Sequence, residues 1–154
     1  MINIKFVICD INREKEITEM VKGWLDFLKQ NNIRFTWPEK PIEEEYDIEK
    51  HSAFKAKIEE RWLKEEQEFV SRLLTFFHKP EDTQFIVEIS NYGPLEFYNP
   101  ANNTVTINLN THLDPLSTIK HELIHLMVEP YIRKYKIQHS DKEKIVNTLL
   151  DSLK

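Results

Sequence analysis

Residues 114–130 read DPLSTIKHELIHLMVEP. Asp114 followed by Pro115 is a helix start: a side-chain acceptor at the N-cap, then a residue whose missing N–H has no helical partner there anyway. Ile119, Leu123, Leu126 and Met127 recur on one face, so the helix has an apolar side to bury. Pro130 disfavours helical backbone at Glu129, which predicts an end near that point. Inside this helix His121 and His125 stand four apart and project from one face, where both reach a single metal ion. Glu122 lies about a quarter-turn round, near enough to take a proton from a water held by that metal. Zinc suits such a site: two neutral imidazoles, a third protein ligand and one position left for water. The bland alternative is an amphipathic helix with two partly exposed histidines. The cap and the core-facing flanks favour the metal.

The rest of the chain sets bounds. Its 154 residues are enough for a single domain, and 40% hydrophobic with 31% charged residues is a globular composition. A net charge of -5 argues against a nucleic-acid-binding footprint. Cys9 is the single cysteine, so neither a disulfide framework nor a cysteine-based zinc site is available. This predicts a reducing, cytoplasmic setting, as does the absence of a signal-peptide pattern at the start. No stretch reads as a membrane span. With Gly23 and Gly93 the only glycines, phosphate-cradling loops are excluded.

Taken in order, residues 2–9 read as a strand. Residues 13–30 read as a helix with Ile17, Met20, Val21, Trp24, Leu25 and Leu28 on one face, and 33–37 as a short strand. Residues 42–78 read as helix. Its first part is charged, with a thin apolar line of Tyr46, Phe54, Ile58 and Trp62. Its later part carries the broader face of Phe69, Val70, Leu73, Leu74 and Phe77. The later part is expected in the core and the earlier part on the surface. Residues 85–90, 95–98 and 104–110 read as strands. In the last of these Val105, Ile107 and Leu109 alternate with Thr106, Asn108 and Asn110, which predicts a half-solvated edge strand able to pair with an extended peptide through the Asn108–Asn110 segment.

The third ligand is sought downstream, on a final helix from about 141 whose apolar face is Ile145, Val146, Leu149, Leu150 and Leu153. Glu143 is the candidate, and His139 is its rival. Glu129 is close in sequence but sits at the expected helix end. Ser140-x-x-Glu143 also reads as a capping box, which would spend Glu143 on a helix N-terminus. His51, His78 and His112 read as structural or exposed.

HELIH, followed after a short linker by a glutamate on a second helix, resembles the gluzincin clan of zinc metallopeptidases. The small size resembles its minimal members, the minigluzincins. The resemblance covers roughly residues 58–150. It implies an α+β fold: a small mixed or antiparallel sheet with a backing helix, an active-site helix and a C-terminal glutamate helix. It implies one zinc ion held by His121, His125 and Glu143, with Glu122 as general base in peptide-bond hydrolysis. In that clan the residue four beyond the glutamate is an aspartate that hydrogen-bonds a ligand histidine; here it is Asn147, which keeps an acceptor oxygen and loses the charge. Oxyanion stabilisation would fall to His139, Tyr135 or Tyr131 from the linker.

The domain expectation is a single compact unit, 1–154, with 58–154 as catalytic core and 1–57 as an N-terminal appendage or cover. A small cytoplasmic peptidase needs its cleft guarded, and the minigluzincin resemblance implies latency. Two segments are candidate covers, the stretch from Pro38 to about Lys57 and the C-terminal end after Leu150; the first is favoured, with Glu43, Glu44, Glu45 and Tyr46 docking near the metal. The expected partner is a peptide or protein substrate, with self-inhibition by the chain's own segment and neither nucleic acid nor membrane. The competing class is a non-catalytic or latent peptidase-like zinc protein that acts by binding a partner.

Overall fold

The computed structural model describes residues 3–66 and 68–154; Ile2, at the start of the first expected strand, and Gln67 lie outside them. Among the described residues the order is β1 (Ile4–Ile8), α1 (Ile11–Lys22), α2 (Leu25–Gln30), β2 (Phe35–Thr36), α3 (Ile42–Glu45), α4 (Ile48–Glu65) and α5 (Phe69–Phe76). Then follow β3 (Phe85–Ser90), β4 (Gly93–Pro94), β5 (Glu96–Asn99), β6 (Thr104–Asn108), α6 (Pro115–Tyr135) and α7 (His139–Ser152). The class is α+β, as expected. The main sheet is mixed, in the order β1-β3-β6-β5, and β2 pairs with β4 in a small antiparallel ribbon. β1 and β6 both run parallel to β3, and β5 runs antiparallel to β6.

Register explains the core. Phe6 lies opposite Val87 and Ile8 opposite Ile89, while Val87 and Ile89 lie opposite Val105 and Ile107. Phe85, Val87, Ile89, Val105 and Ile107 are fully buried and pack with Ile58, Trp62, Leu73, Ile119, Leu123 and Ile124 from α4, α5 and α6. Apolar area removed from water on this face supplies the main cohesive force, at about 25 cal/mol per Å². A second cluster of Cys9, Ile17, Val21 and Leu28, with Phe35 and Phe97, sits under α1 and α2. Period-two alternation therefore divides β5: Phe97 joins the second cluster, whereas Tyr98 joins the first.

The edge-strand expectation for 104–110 is corrected. β6 is an interior strand with hydrogen-bonded neighbours on both sides, and all five of its residues are buried. Its polar side chains are satisfied internally: Thr106 donates to Glu88 at 3.1 Å, and Asn108 donates to Thr36 Oγ1 and to the Gly93 carbonyl, both at 3.1 Å. Asn110 lies past the strand and bonds Asn91. Alternating polarity marks two faces but cannot say whether the polar face meets water or a second layer. The outer strands of this sheet are β1 and, next to β6, β5.

Helix boundaries differ as well. The 13–30 segment breaks after Lys22, where Gly23 and Trp24 turn back onto α1. The 42–78 segment is three helices. Tyr46 is extended, and Asp47 starts α4 by accepting from Lys50 N at 3.0 Å. Ile58, Trp62 and His51 of the earlier part are buried, not superficial. α6 runs through Pro130 for another turn and ends at Lys136 in the left-handed region, φ 51°. Burial of Ile132 and the bonds of the Lys136 N–H to the Arg133 and Ile132 carbonyls hold that last turn. No helix among the described residues is long and apolar enough to cross a membrane.

The N-terminal block is built into the fold. β1 pairs along its whole length with β3, and Ile4 and Phe6 belong to the main core. The acidic run is taken up away from α6: Glu43 pairs with Lys15 on α1, Glu45 accepts from the Tyr92 hydroxyl at 2.6 Å, and the Tyr46 hydroxyl donates to the Cys9 carbonyl at 2.9 Å. The expectation that Glu43, Glu45 and Tyr46 dock at the metal is corrected by these bonds, which backbone carbonyls and α1 supply first.

Candidate metal centre

α6 enters the core with its start fixed by Asp114, which accepts from Ser117 N at 3.0 Å and from Arg61 at 2.8 Å. Leu116, Ile119, Leu123 and Ile124 anchor it against the sheet. That fixes its rotation, and the next face carries His121 and His125. α7 packs across α6 by burying Val146, and this brings Glu143, one turn earlier, over the two rings. Glu143 does not cap its helix; α7 starts at His139, with Gln138 as N-cap, so the capping-box reading is set aside.

Two imidazoles and a carboxylate converge. His121 Nε2 and His125 Nε2 are 3.0 Å apart; His121 Nε2 lies 3.4 Å from Glu143 Oε2, and His125 Nε2 lies 3.4 Å from the other carboxylate oxygen, Oε1. Ligands on a tetrahedral metal with bonds of about 2.0–2.1 Å stand about 3.3–3.4 Å apart, so the spacings in this triangle of two ring nitrogens and a carboxylate group are close to those of such a site. Burial pulls His125 down to about 4 and lowers His121, despite the raising effect of Glu143 beside both. Burial thus disfavours the charged form of both rings. Two imidazole nitrogens and a carboxylate are crowded together, and a cation or a shared proton relieves that crowding.

Glu122 stands one step back, its nearest oxygen 4.0 Å from His121 Nε2. Its carboxyl is buried and pushed up to about 8, first by burial, then by the Glu96 and Glu143 charges. His121, Glu122 and His125 form a group that could hold a metal ion. The distances make Glu143 the better third partner for the two rings. His139 is 80% exposed, and its Nδ1 is 3.9 Å from Glu143, so it stands outside the triangle.

The other expected residues fall elsewhere. Asn147 is exposed and makes no hydrogen bond to either ring, so its assigned place behind a ligand histidine is corrected; one residue past Val146, it lies off the buried face. His125 Nδ1 is buried without a partner. Tyr131 packs on Phe77 at the far side of α6, and Tyr135 is 64% exposed. Neither lines the cleft beside the centre, a cavity of about 310 Å³ bounded by Glu96, Leu113, Asp114, Ser117, Thr118, His121, Glu122 and Leu150. Asn108 and Asn110 do not line it either.

Two side chains that the sequence reading passed over sit here, both from β5. Tyr98 stacks on His125, and its hydroxyl donates to Glu129 at 2.8 Å and accepts from Lys142 at 3.3 Å. Burial and that bond raise the Tyr98 pKa. Glu129, far from fraying, also accepts from Arg133 at 2.8 Å. Glu96, two residues before Tyr98, lines the cleft with its Oε2 buried and unpartnered, and burial raises its pKa. The sequence held a signal for both: they share one face of the strand read at 95–98. No family model, curated protein or solved structure matches the chain.

Proposed function

We propose that the chain is a zinc-dependent peptidase of the kind the HELIH-plus-glutamate pattern resembles, with His121, His125 and Glu143 holding one zinc ion. The observation that carries this reading is the meeting of two imidazole nitrogens 3.0 Å apart, each 3.4 Å from an oxygen of the Glu143 carboxylate, with a buried carboxyl beside them. Bound zinc would polarise the scissile carbonyl and lower the pKa of a water towards about 7. Glu122 is the general base: it takes the proton of the attacking water and returns it to the leaving amine. Its burial raises its affinity for protons, which strengthens it as a base. The free, buried thiol of Cys9 accords with a reducing setting such as the cytoplasm.

The test pairs elemental analysis with hydrolysis of a diverse peptide library read by mass spectrometry. The purified protein should carry about one zinc per chain and cleave peptides, and Glu122→Gln should keep the zinc and lose cleavage. Zinc without cleavage in the wild type would favour the alternative, a latent or non-catalytic zinc protein acting through a partner. Absence of metal under zinc-replete conditions would refute both.

A further inference from the structure

We infer that the cleft recognises a positively charged nitrogen on the substrate through Glu96, while the substrate backbone extends the sheet along β5. This rests on the peptidase reading above and adds to it a class of substrate.

The backbone comes first. The bond from Asn108 N to the Leu95 carbonyl, 2.9 Å, sets the alternation along β5. Leu95, Phe97 and Asn99 turn their N–H and C=O groups to β6, so those of Glu96 and Tyr98 face the open side. β5 is one of the two outer strands of the sheet. Unpaired groups on an outer strand are what an extended peptide uses to add itself to a sheet. The same two residues send their side chains towards α6: Tyr98 lies on His125, and Glu96 lines the cleft with His121 and Glu122. A segment paired at Glu96 and Tyr98 is thus led past the metal centre.

Charge comes second. Glu96 Oε2 is buried with no hydrogen-bond partner. A buried acceptor left unpaired is costly, and more so when ionised. The neighbouring lining groups do not relieve it: Glu122 is another carboxyl, and Asp114 is already bonded to Arg61 and Ser117. Lys142 is directed at the Tyr98 hydroxyl. An ammonium brings donors and charge that the cleft lacks. An acidic substrate group would be repelled there. The ammonium has two sources, a free amino end or a basic side chain close to the scissile bond.

Titration calorimetry separates them, on metal-free and on zinc-loaded protein. The probes are tetra-alanine with a free amino end, its N-acetyl form, and an N-acetyl peptide with lysine as the first residue followed by three alanines. Wild type should bind at least one amine-bearing probe about tenfold more tightly than N-acetyl-tetra-alanine. Glu96→Gln should bring that ratio close to one, and Glu96→Asp, which keeps the charge, should retain a preference. Preference for the free amino end assigns Glu96 to the substrate terminus; preference for the lysine probe assigns it to a basic residue. Equal affinities in wild type, no measurable binding of either amine-bearing probe, or an unchanged ratio in a Glu96→Gln protein with wild-type circular dichroism and melting overturns the inference. A preference that persists without any hydrolysis would overturn the peptidase reading alone. Hydrolysis without a preference would overturn the recognition alone.

Discussion

Tyr98 lies flat on the His125 imidazole, with ring centroids 5.1 Å apart and planes within 8°. The stack presses one candidate ligand into the orientation that aims its Nε2 at Glu143, and the hydroxyl ties the strand to Glu129 on α6. Since His125 Nδ1 has no hydrogen-bond partner, this ring contact substitutes for the bond that normally orients a metal-binding histidine. Tyr98→Ala should therefore weaken zinc affinity by about 10- to 100-fold, the usual effect of losing an orienting partner. Tyr98→Phe keeps the stack and should lose much less. Competition against a chelator of known affinity measures both, and equal losses would assign the effect to the hydroxyl.

The ligand set has its own signature. His121→Ala, His125→Ala and Glu143→Ala should each lose stoichiometric zinc, whereas His139→Ala should retain it, because His139 points into solvent outside the triangle. Elemental analysis of the dialysed proteins decides. Zinc lost in His139→Ala and kept in Glu143→Ala would reverse the assignment.

Away from the centre, Glu14 and His51 form a buried pair at 2.9 Å, and Glu14 also accepts from Ser90 Oγ and Asn91 N. His51 Nδ1 meets the Asp47 carbonyl at 2.6 Å, so both ring nitrogens face acceptors. Burial pulls this histidine down, but the bonds to Glu14 and Asp47 outweigh it and its pKa lies above the ordinary 6.5. A raised folded-state value gives stability that is complete below about 6.5 and fades as pH rises through the folded value. The urea-unfolding free energy of wild type minus that of His51→Gln should accordingly fall over that window. His51→Ala, which strands Glu14 in the interior, should cost about 3–5 kcal/mol at neutral pH. A difference that grows with pH would mean the ring is neutral in the folded protein.

Gly93 opens β4 at φ +85°, and a Cβ there would stand 3.1 Å from Val21 Cγ2. The left-handed backbone and the close approach of α1 both require glycine. Gly93→Ala should destabilise by about 1–3 kcal/mol in thermal or urea unfolding. An unchanged midpoint would mean that β4 shifts freely away from α1.

The sequence alone determined the local parts. HELIH four apart on a capped helix, the strand and helix types and the apolar faces of the α5 and α7 segments follow from spacing and periodicity, which act within a few turns of chain. Glu143 stood there beside His139 as a rival, and the packing of α7 on α6 is what brought it to the histidines. What needed the tertiary structure was everything set by partners distant in sequence. Parallel pairing of β6 with β3 made an interior strand of one that looked solvated, because alternation cannot distinguish water from a second layer as the cover of a polar face. β1 paired with β3, more than seventy residues away, and so joined the N-terminal block to the core. Glu14 met His51 across 37 residues, turning two ordinary surface-type residues into a buried network. β5 came to lie against α6, and so Glu96 and Tyr98 face the candidate metal centre while Asn147 faces solvent. Such contacts form only when loop closure is repaid by burial elsewhere, which no local window of sequence records.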